Sequence, residues 1–252
     1  MSTRILPFRP SHDGFAFPNR WPPGPALEWR TGYLRVGLGD VGDGLCGGMC
    51  HVAADRFLRG EAIGAATEPP APGSRLFREV VRRQVDSFAL GQVPLRFWWA
   101  ATRLRSGRWS SRDQLREWHA IRRDLDAGRP SMLGLVRSAT ASPFALTLNH
   151  QVLGYGYEAG ADRLSMRIYD PNHPGRDDVA VELRRVTAAA DPAAVADGLG
   201  SSAGRGSSAG RGSSAGRGSS PVPVPGAIVL AQSTGEPLLA LLRLPYRPAP
   251  AR

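Results

Sequence analysis

The first half of the chain carries apolar residues at the three- and four-residue spacing that is typical of amphipathic helices. This spacing predicts helices over residues 46–59, 75–89, 95–104 and 111–128. We expect Ser74 and Ser111 to be the N-caps of the second and fourth helices. The second half changes to short apolar runs between turn residues. These runs predict strands over residues 131–136, 150–157, 163–169 and 179–183. Helices followed by an antiparallel sheet indicate an α+β fold.

Three segments lie outside this pattern. Residues 1–30 are rich in proline, glycine and aromatic residues, which favours an ordered arm packed over the domain rather than a regular helix. Residues 200–220 repeat glycine, serine, alanine and arginine, which predicts a disordered insertion in a loop. The apolar runs at 227–231 and 238–244 follow the insertion and are typical of a hairpin. We therefore expect residues 1–252 to form one domain.

Composition and charge argue against several classes of protein. Hydrophobic residues make up 42% of the chain, a fraction typical of soluble domains, and no run approaches the roughly 18 apolar residues of a membrane span. The first residues lack a secretory apolar core, which favours a cytoplasmic protein without a membrane partner. The net charge of +10 rests on arginine alone, scattered between carboxylates and without a nucleic-acid-binding motif. We expect no nucleic-acid partner.

The segment Gly44-Leu45-Cys46-Gly47-Gly48 places a cysteine where a helix is predicted to begin. The positive end of the helix dipole favours the thiolate, which is the nucleophilic form of cysteine. The backbone N–H groups of Cys46, Gly47 and Gly48 have no helix partner at this position, so they are candidate donors to an oxyanion. Cys50, one turn later, is predicted to be a small core residue, and both thiols are predicted to be free.

A histidine and an acid follow in the order that nucleophilic catalysis requires. His150 heads a predicted strand and is the candidate general base, and Asp170 ends the next strand and is the candidate that orients the imidazole. Asn172 is the alternative third member. The plainer interpretations are a structural cysteine, a strand-end histidine and a simple turn after Asp170. A metal site at Cys46, Cys50 and His51, with or without Asp170, matches no zinc spacing, so we expect neither a metal nor a cofactor.

Four motifs together carry a resemblance to a known family. They are Gly44-Leu45-Cys46-Gly47-Gly48-Met49, Ala127-Gly128-Arg129-Pro130, Asn149-His150-Gln151-Val152 and Tyr169-Asp170-Pro171-Asn172. Over roughly residues 35 to 185 the chain resembles the papain-like cysteine peptidases, in particular their bacterial C39-like branch. The resemblance implies a papain-like fold with N-terminal helices packed on an antiparallel sheet. It also implies that Cys46 is the nucleophile, His150 the base and Asp170 the orienting acid.

The chain departs from this family at one position. Asp40 stands about six residues before the cysteine, where the family usually has a glutamine that helps to bind the oxyanion. Because a carboxylate would repel an oxyanion, we expect backbone N–H groups, or the side chain of Gln151 or Asn149, to act instead.

The resemblance implies a thiol hydrolase, a cysteine peptidase or amidase, that acts through a thioester on a peptide or protein substrate. Two alternatives remain open. One is an acyl transferase or deamidase with the same three residues. The other is a catalytically silent papain-like domain that binds a peptide or protein.

Overall fold

The computed structural model describes residues 1–21, 25–31, 34–40, 44–140, 149–186 and 226–250. The predicted insertion at 200–220 lies outside these ranges. Within them, no helix is both long and apolar enough to cross a membrane. The elements, in chain order, are β1 (Ser2–Ile5), α1 (Pro10–Asp13), β2 (Pro25–Thr31), β3 (Leu34–Asp40), α2 (Cys46–Arg59), α3 (Arg75–Ser87), α4 (Gln92–Arg105), α5 (Ser111–Asp126), β4 (Ser131–Val136), β5 (His150–Ala159), β6 (Arg163–Tyr169), β7 (Ala180–Arg185), β8 (Ile228–Gln232) and β9 (Ala240–Arg243).

The main sheet is antiparallel, and its strands lie in the order β8-β7-β6-β5-β4-β9. β5 is its longest strand, and its first half pairs with β4 while its second half pairs with β1 from the N-terminus. β2 and β3 form a separate two-stranded sheet. Helices combined with an antiparallel sheet confirm the predicted α+β class.

The predicted hairpin of the last two strands is wrong. β8 pairs with β7, with Val181 opposite Gln232, whereas β9 pairs with β4, with Leu133 opposite Arg243. The two strands therefore lie at opposite edges of the sheet. A short apolar run is compatible with either neighbour, and the packing of the whole sheet decides which one it takes.

The outer edge of β9 is covered by side chains of α5. The amide of Gln114 pairs with both backbone groups of Leu241: Leu241 N donates to Gln114 Oε1 at 3.0 Å, and Gln114 Nε2 donates to the Leu241 carbonyl at 3.1 Å. Two residues along, Arg243 N donates to Glu117 Oε2 at 2.8 Å. These contacts satisfy an edge that would otherwise expose unpaired backbone groups.

The two faces of the sheet bury different helices. On one face, Met132 and Leu153 belong to an apolar cluster that contains residues of α2, α3 and α4. On the other face, Leu133 and Val152 belong to a second cluster, which contains residues of α5. Successive residues of one strand thus pack into clusters on opposite faces of the sheet, as the two-residue period of a strand requires.

Residues 1–21 contribute large aromatic side chains to the first of these clusters. Phe8, Phe15, Phe17 and Trp21 are all buried, and the ring centroids of Phe15 and Phe17 lie 4.9 Å apart. The regular helix in this segment is the single turn of α1. The segment therefore forms part of the core that contains residues of α2, α3 and α4.

The helix signals of the sequence are largely confirmed. α2 has the predicted bounds, and Ser74 caps α3 by accepting a hydrogen bond from Phe77 N at 3.2 Å. The predicted cap of α5 is wrong by one residue. Ser110 is the N-cap, because its hydroxyl accepts from Asp113 N while the Asp113 carboxylate accepts from Ser110 N, which forms a capping box.

Candidate active site

Cys46 is the first residue of α2 and lies directly after a tight turn. Gly44 has a φ of +94°, a backbone conformation that glycine adopts without steric cost, and Leu45 is the N-cap residue. This turn brings the chain into α2 with Cys46 only partly buried, whereas Cys50, one turn later, is fully buried. The position matches the prediction of a cysteine at the start of a helix.

His150 and Asp170 lie at the same end of the sheet. β5 and β6 run antiparallel with Leu153 opposite Tyr169, so the start of β5 lies beside the end of β6. His150 Nε2 lies 2.6 Å from Asp170 Oδ1, and both side chains are buried. This contact uses one ring nitrogen and leaves Nδ1 to face other groups.

Cys46 and His150 lie close enough for each to shift the pKa of the other, so the structure brings the three predicted residues together. Burial raises the pKa of the Cys46 thiol. The interaction with His150 lowers it, and together with the backbone of Gln151 and Gly47 this effect outweighs burial, so the net pKa is lowered. Burial lowers the pKa of His150, but the charges of Asp170 and Cys46 raise it to about 10. Both shifts favour a thiolate beside an imidazolium at neutral pH.

Asp170 is held by two residues that the sequence pattern did not single out. Gln232 Nε2 donates to Asp170 Oδ2 at 2.9 Å, and Arg137 Nη2 donates to Gln232 Oε1 at 3.1 Å and lies 4.0 Å from the same carboxylate oxygen. Burial raises the pKa of Asp170, but the His150 charge and hydrogen bond, together with the N–H of Asn172, lower it to about 2. Asp170 is therefore a carboxylate across the physiological range.

Asn172 does not take the place of Asp170 at the ring. Its backbone N–H donates to Asp170 Oδ1 at 2.8 Å, while its side-chain oxygen lies 3.4 Å from Asn19 Nδ2. Asp170 is thus the residue that contacts His150, and Asn172 donates to the Asp170 carboxylate through its backbone N–H.

The two glycines after Cys46 differ in what their N–H groups can do. The backbone of Gly47 helps to lower the pKa of the Cys46 thiol. The predicted use of Gly48 as an oxyanion donor is wrong, because Gly48 N donates to Gln84 Oε1 at 2.8 Å. An N–H that is already bound to an amide oxygen of the protein is not free to bind a substrate.

The side chains of Gln151 and Asn149 also form hydrogen bonds within the protein. Gln151 Nε2 donates to Ser87 Oγ at 3.3 Å, which occupies one of its two N–H groups, and the role of this amide as an oxyanion donor stays a prediction. Its backbone helps to lower the pKa of the Cys46 thiol. Asn149 Oδ1 accepts from Arg137 N at 3.2 Å. The side chain of Asp40 lies outside the described part of the structure.

Cys50 lies in a setting that disfavours reaction. Its thiol donates to the Gln151 carbonyl at 3.5 Å, and burial raises its pKa well above the ordinary value. The next residue, His51, is also buried, and burial lowers its pKa to about 3. Across the described ranges, no group of three or more His, Cys, Asp and Glu residues could hold a metal ion.

A cavity of about 600 Å³ lies at the other end of α2. Its lining includes Asp55, Arg59 and Arg83. Asp55 and Arg59 follow Cys46 by nine and thirteen residues, and at about 1.5 Å of rise per residue they lie roughly 14 to 20 Å along the helix. This cavity is therefore separate from the thiol site.

Comparison of the chain with models of protein families, with curated proteins and with solved structures finds no match. The function of the chain is therefore inferred from the geometry and the chemistry of Cys46, His150 and Asp170.

Proposed function

We propose that this chain is a papain-like thiol hydrolase, a cysteine peptidase or amidase, in which Cys46 attacks the carbonyl carbon of a peptide or amide substrate. The observation that carries the proposal is the close grouping of a partly buried cysteine at a helix start, a buried imidazole and a buried carboxylate. A structural cysteine needs neither the lowered thiol pKa nor the histidine whose second nitrogen is held by an acid.

Each residue has a defined part in this reaction. The Cys46 thiolate forms a C–S bond with the carbonyl carbon, and the electron pair of the C=O bond moves onto oxygen. When the tetrahedral intermediate collapses, the C–N bond breaks and the leaving nitrogen takes the proton from His150. His150 then removes a proton from water, which attacks the thioester, and the thiolate leaves. Asp170 keeps the imidazole oriented and stabilises its positive charge.

Two alternatives to hydrolysis remain. One uses the same three residues for a related reaction, and the other uses none of their chemistry. If an amine rather than water attacks the thioester, the protein is an acyl transferase, and if the substrate is a side-chain amide it is a deamidase. A silent domain that binds a peptide or protein needs no thiolate at all. The thiolate-favouring surroundings of Cys46 argue for chemistry over binding alone. The cytoplasmic location and the lack of a nucleic-acid partner stay predictions.

Iodoacetamide labelling at neutral pH tests the proposal. We expect fast modification of Cys46 and very slow modification of Cys50, which serves as an internal control because both thiols lie on α2. His150→Ala should shift the pH dependence of Cys46 alkylation toward that of an ordinary thiol. If Cys50 reacts first, or if His150→Ala leaves the profile unchanged, the assignment of nucleophile and base is wrong.

A further inference from the structure

Asn19, in the N-terminal arm, contacts the turn that precedes Cys46. Its side-chain oxygen Oδ1 accepts hydrogen bonds from Leu45 N at 2.6 Å and from Trp21 Nε1 at 3.0 Å. Two N–H donors on one atom identify it as the oxygen of the amide, because an NH₂ group could not accept them. The orientation of this side chain is therefore determined, and Nδ2 points away from both donors.

The other side of Asn19 reaches the loop that carries the acid. Asn19 Nδ2 lies 3.4 Å from Asn172 Oδ1, and Asn19 N donates to the Pro171 carbonyl at 2.9 Å. Asn172 N in turn donates to Asp170 Oδ1, the same atom that contacts His150. One residue thus bonds both to the segment that positions the thiol and to the segment that positions the carboxylate.

The turn before Cys46 is shaped to fit this amide. A Cβ on Gly44 would lie only 2.6 Å from Asn19 Nδ2, closer than real Cβ atoms approach a neighbour. Together with the positive φ of Gly44, this close approach accounts for a glycine two residues before the cysteine. The contact is tight and specific, unlike a surface asparagine that meets only solvent.

We propose that Asn19 is a positioning residue of the thiol site, which holds the Cys46 turn at the correct distance from the Asp170 loop. This role rests on the proposed function, because it matters through the thiolate and imidazolium pair. Asn19 acts through the backbone of Leu45 and through Asn172. No sequence pattern marks it, because it lies in the aromatic arm, 26 residues before its partner Leu45.

The test measures the pH dependence of Cys46 alkylation by iodoacetamide in Asn19→Ala. Loss of the bond to Leu45 should let the turn relax away from His150, which would move the midpoint to higher pH. At pH 6 we expect Cys46 to react about fivefold more slowly, the effect of losing one hydrogen bond. Trp21→Phe is the matched control, because it removes the other donor to the same oxygen and part of the buried indole ring but keeps the bond to Leu45, so it should leave the profile close to wild type.

Asn172→Ala covers the case in which Asn19→Ala does not fold. It removes the acceptor of Asn19 Nδ2 but keeps the Asn172 N–H that donates to Asp170. The midpoint of Cys46 alkylation should move to higher pH, as in Asn19→Ala, but by a smaller amount. A combined Asn19→Ala and Asn172→Ala variant should show less than the sum of the two effects, because the residues share one contact. Slow labelling of Cys50 checks that each variant is folded.

The outcomes separate this inference from the proposed function. If wild type and His150→Ala behave as expected but the profiles of Asn19→Ala and Asn172→Ala coincide with wild type, Asn19 does not position the site. If the wild-type thiol already titrates like an ordinary cysteine, the proposed function itself fails.

Discussion

Replacing Asp170 with asparagine tests the electrostatics of the site most directly. The carboxylate accepts hydrogen bonds from Asn172 N and Gln232 Nε2 and contacts His150 Nε2 at 2.6 Å. An amide offers only one oxygen. Because Arg137 already donates to Gln232 Oε1, Gln232 must present its NH₂ group to position 170, where it would meet a second NH₂ group in the variant.

The magnitude follows from the pKa of Asp170, which falls from 3.8 to about 2 in the folded protein. At 1.36 kcal/mol for each pKa unit, this corresponds to about 2 kcal/mol of folding free energy at neutral pH. Because the folded pKa is depressed, the contribution is complete at pH values above the unfolded pKa. It is lost as the pH falls through the folded pKa near 2. The unpaired amide in the variant adds to the loss.

Urea unfolding of wild type and Asp170→Asn at pH 7, 4 and 3 measures this effect. We expect the variant to be less stable than wild type by at least about 2 kcal/mol at pH 7. By pH 3 the part of this stability difference that comes from the Asp170 charge should fall to roughly half of its value at pH 7. Asp178→Asn is the control, because Asp178 forms an exposed pair with Arg176 and such pairs contribute little to stability.

The same variant should affect the thiol. Without the charge of Asp170 the pKa of His150 falls, the imidazolium is populated less, and alkylation of Cys46 at pH 6 slows. Equal stability of wild type and Asp170→Asn at pH 7 would refute the reasoning. A stability gap that is as large at pH 3 as at pH 7 would show that packing, and not the carboxylate charge, accounts for it.

Three further changes test the fold around the site. Gly48→Ala should lower the unfolding free energy by about 1 to 3 kcal/mol, because its Cβ would lie 2.2 Å from the Val80 carbonyl; unchanged urea unfolding would contradict this close contact of α2 and α3. Ser74→Ala should cost about 1 kcal/mol in the same assay through loss of the bond to Phe77 N. Deleting residues 200–220 should leave the Tm almost unchanged, since the segment has no apolar side chain larger than alanine; a large drop in calorimetry would show that it packs on the domain.

Local patterns account for the features that were predicted correctly. The bounds of α2, the cap at Ser74 and the strands β4 and β6 depend on periodicity and on capping side chains within a few residues. The candidate residues Cys46, His150 and Asp170 were found because each stands at the end of a predicted element. Such positions place reactive side chains at the edge of a core, where they can meet.

Only the tertiary structure decided the partners of these residues. Gln232 is 62 residues from Asp170, and no local pattern indicates that β8 returns beside β7 rather than pairing with β9. The same holds for Gln84, whose amide removes Gly48 from the candidate donors. The sequence by itself determined the candidate residues Cys46, His150 and Asp170 and the bounds of elements such as α2, β4 and β6. Packing of distant segments determined which hydrogen-bonding groups remain free, because each buried donor takes the acceptor that the fold brings to it.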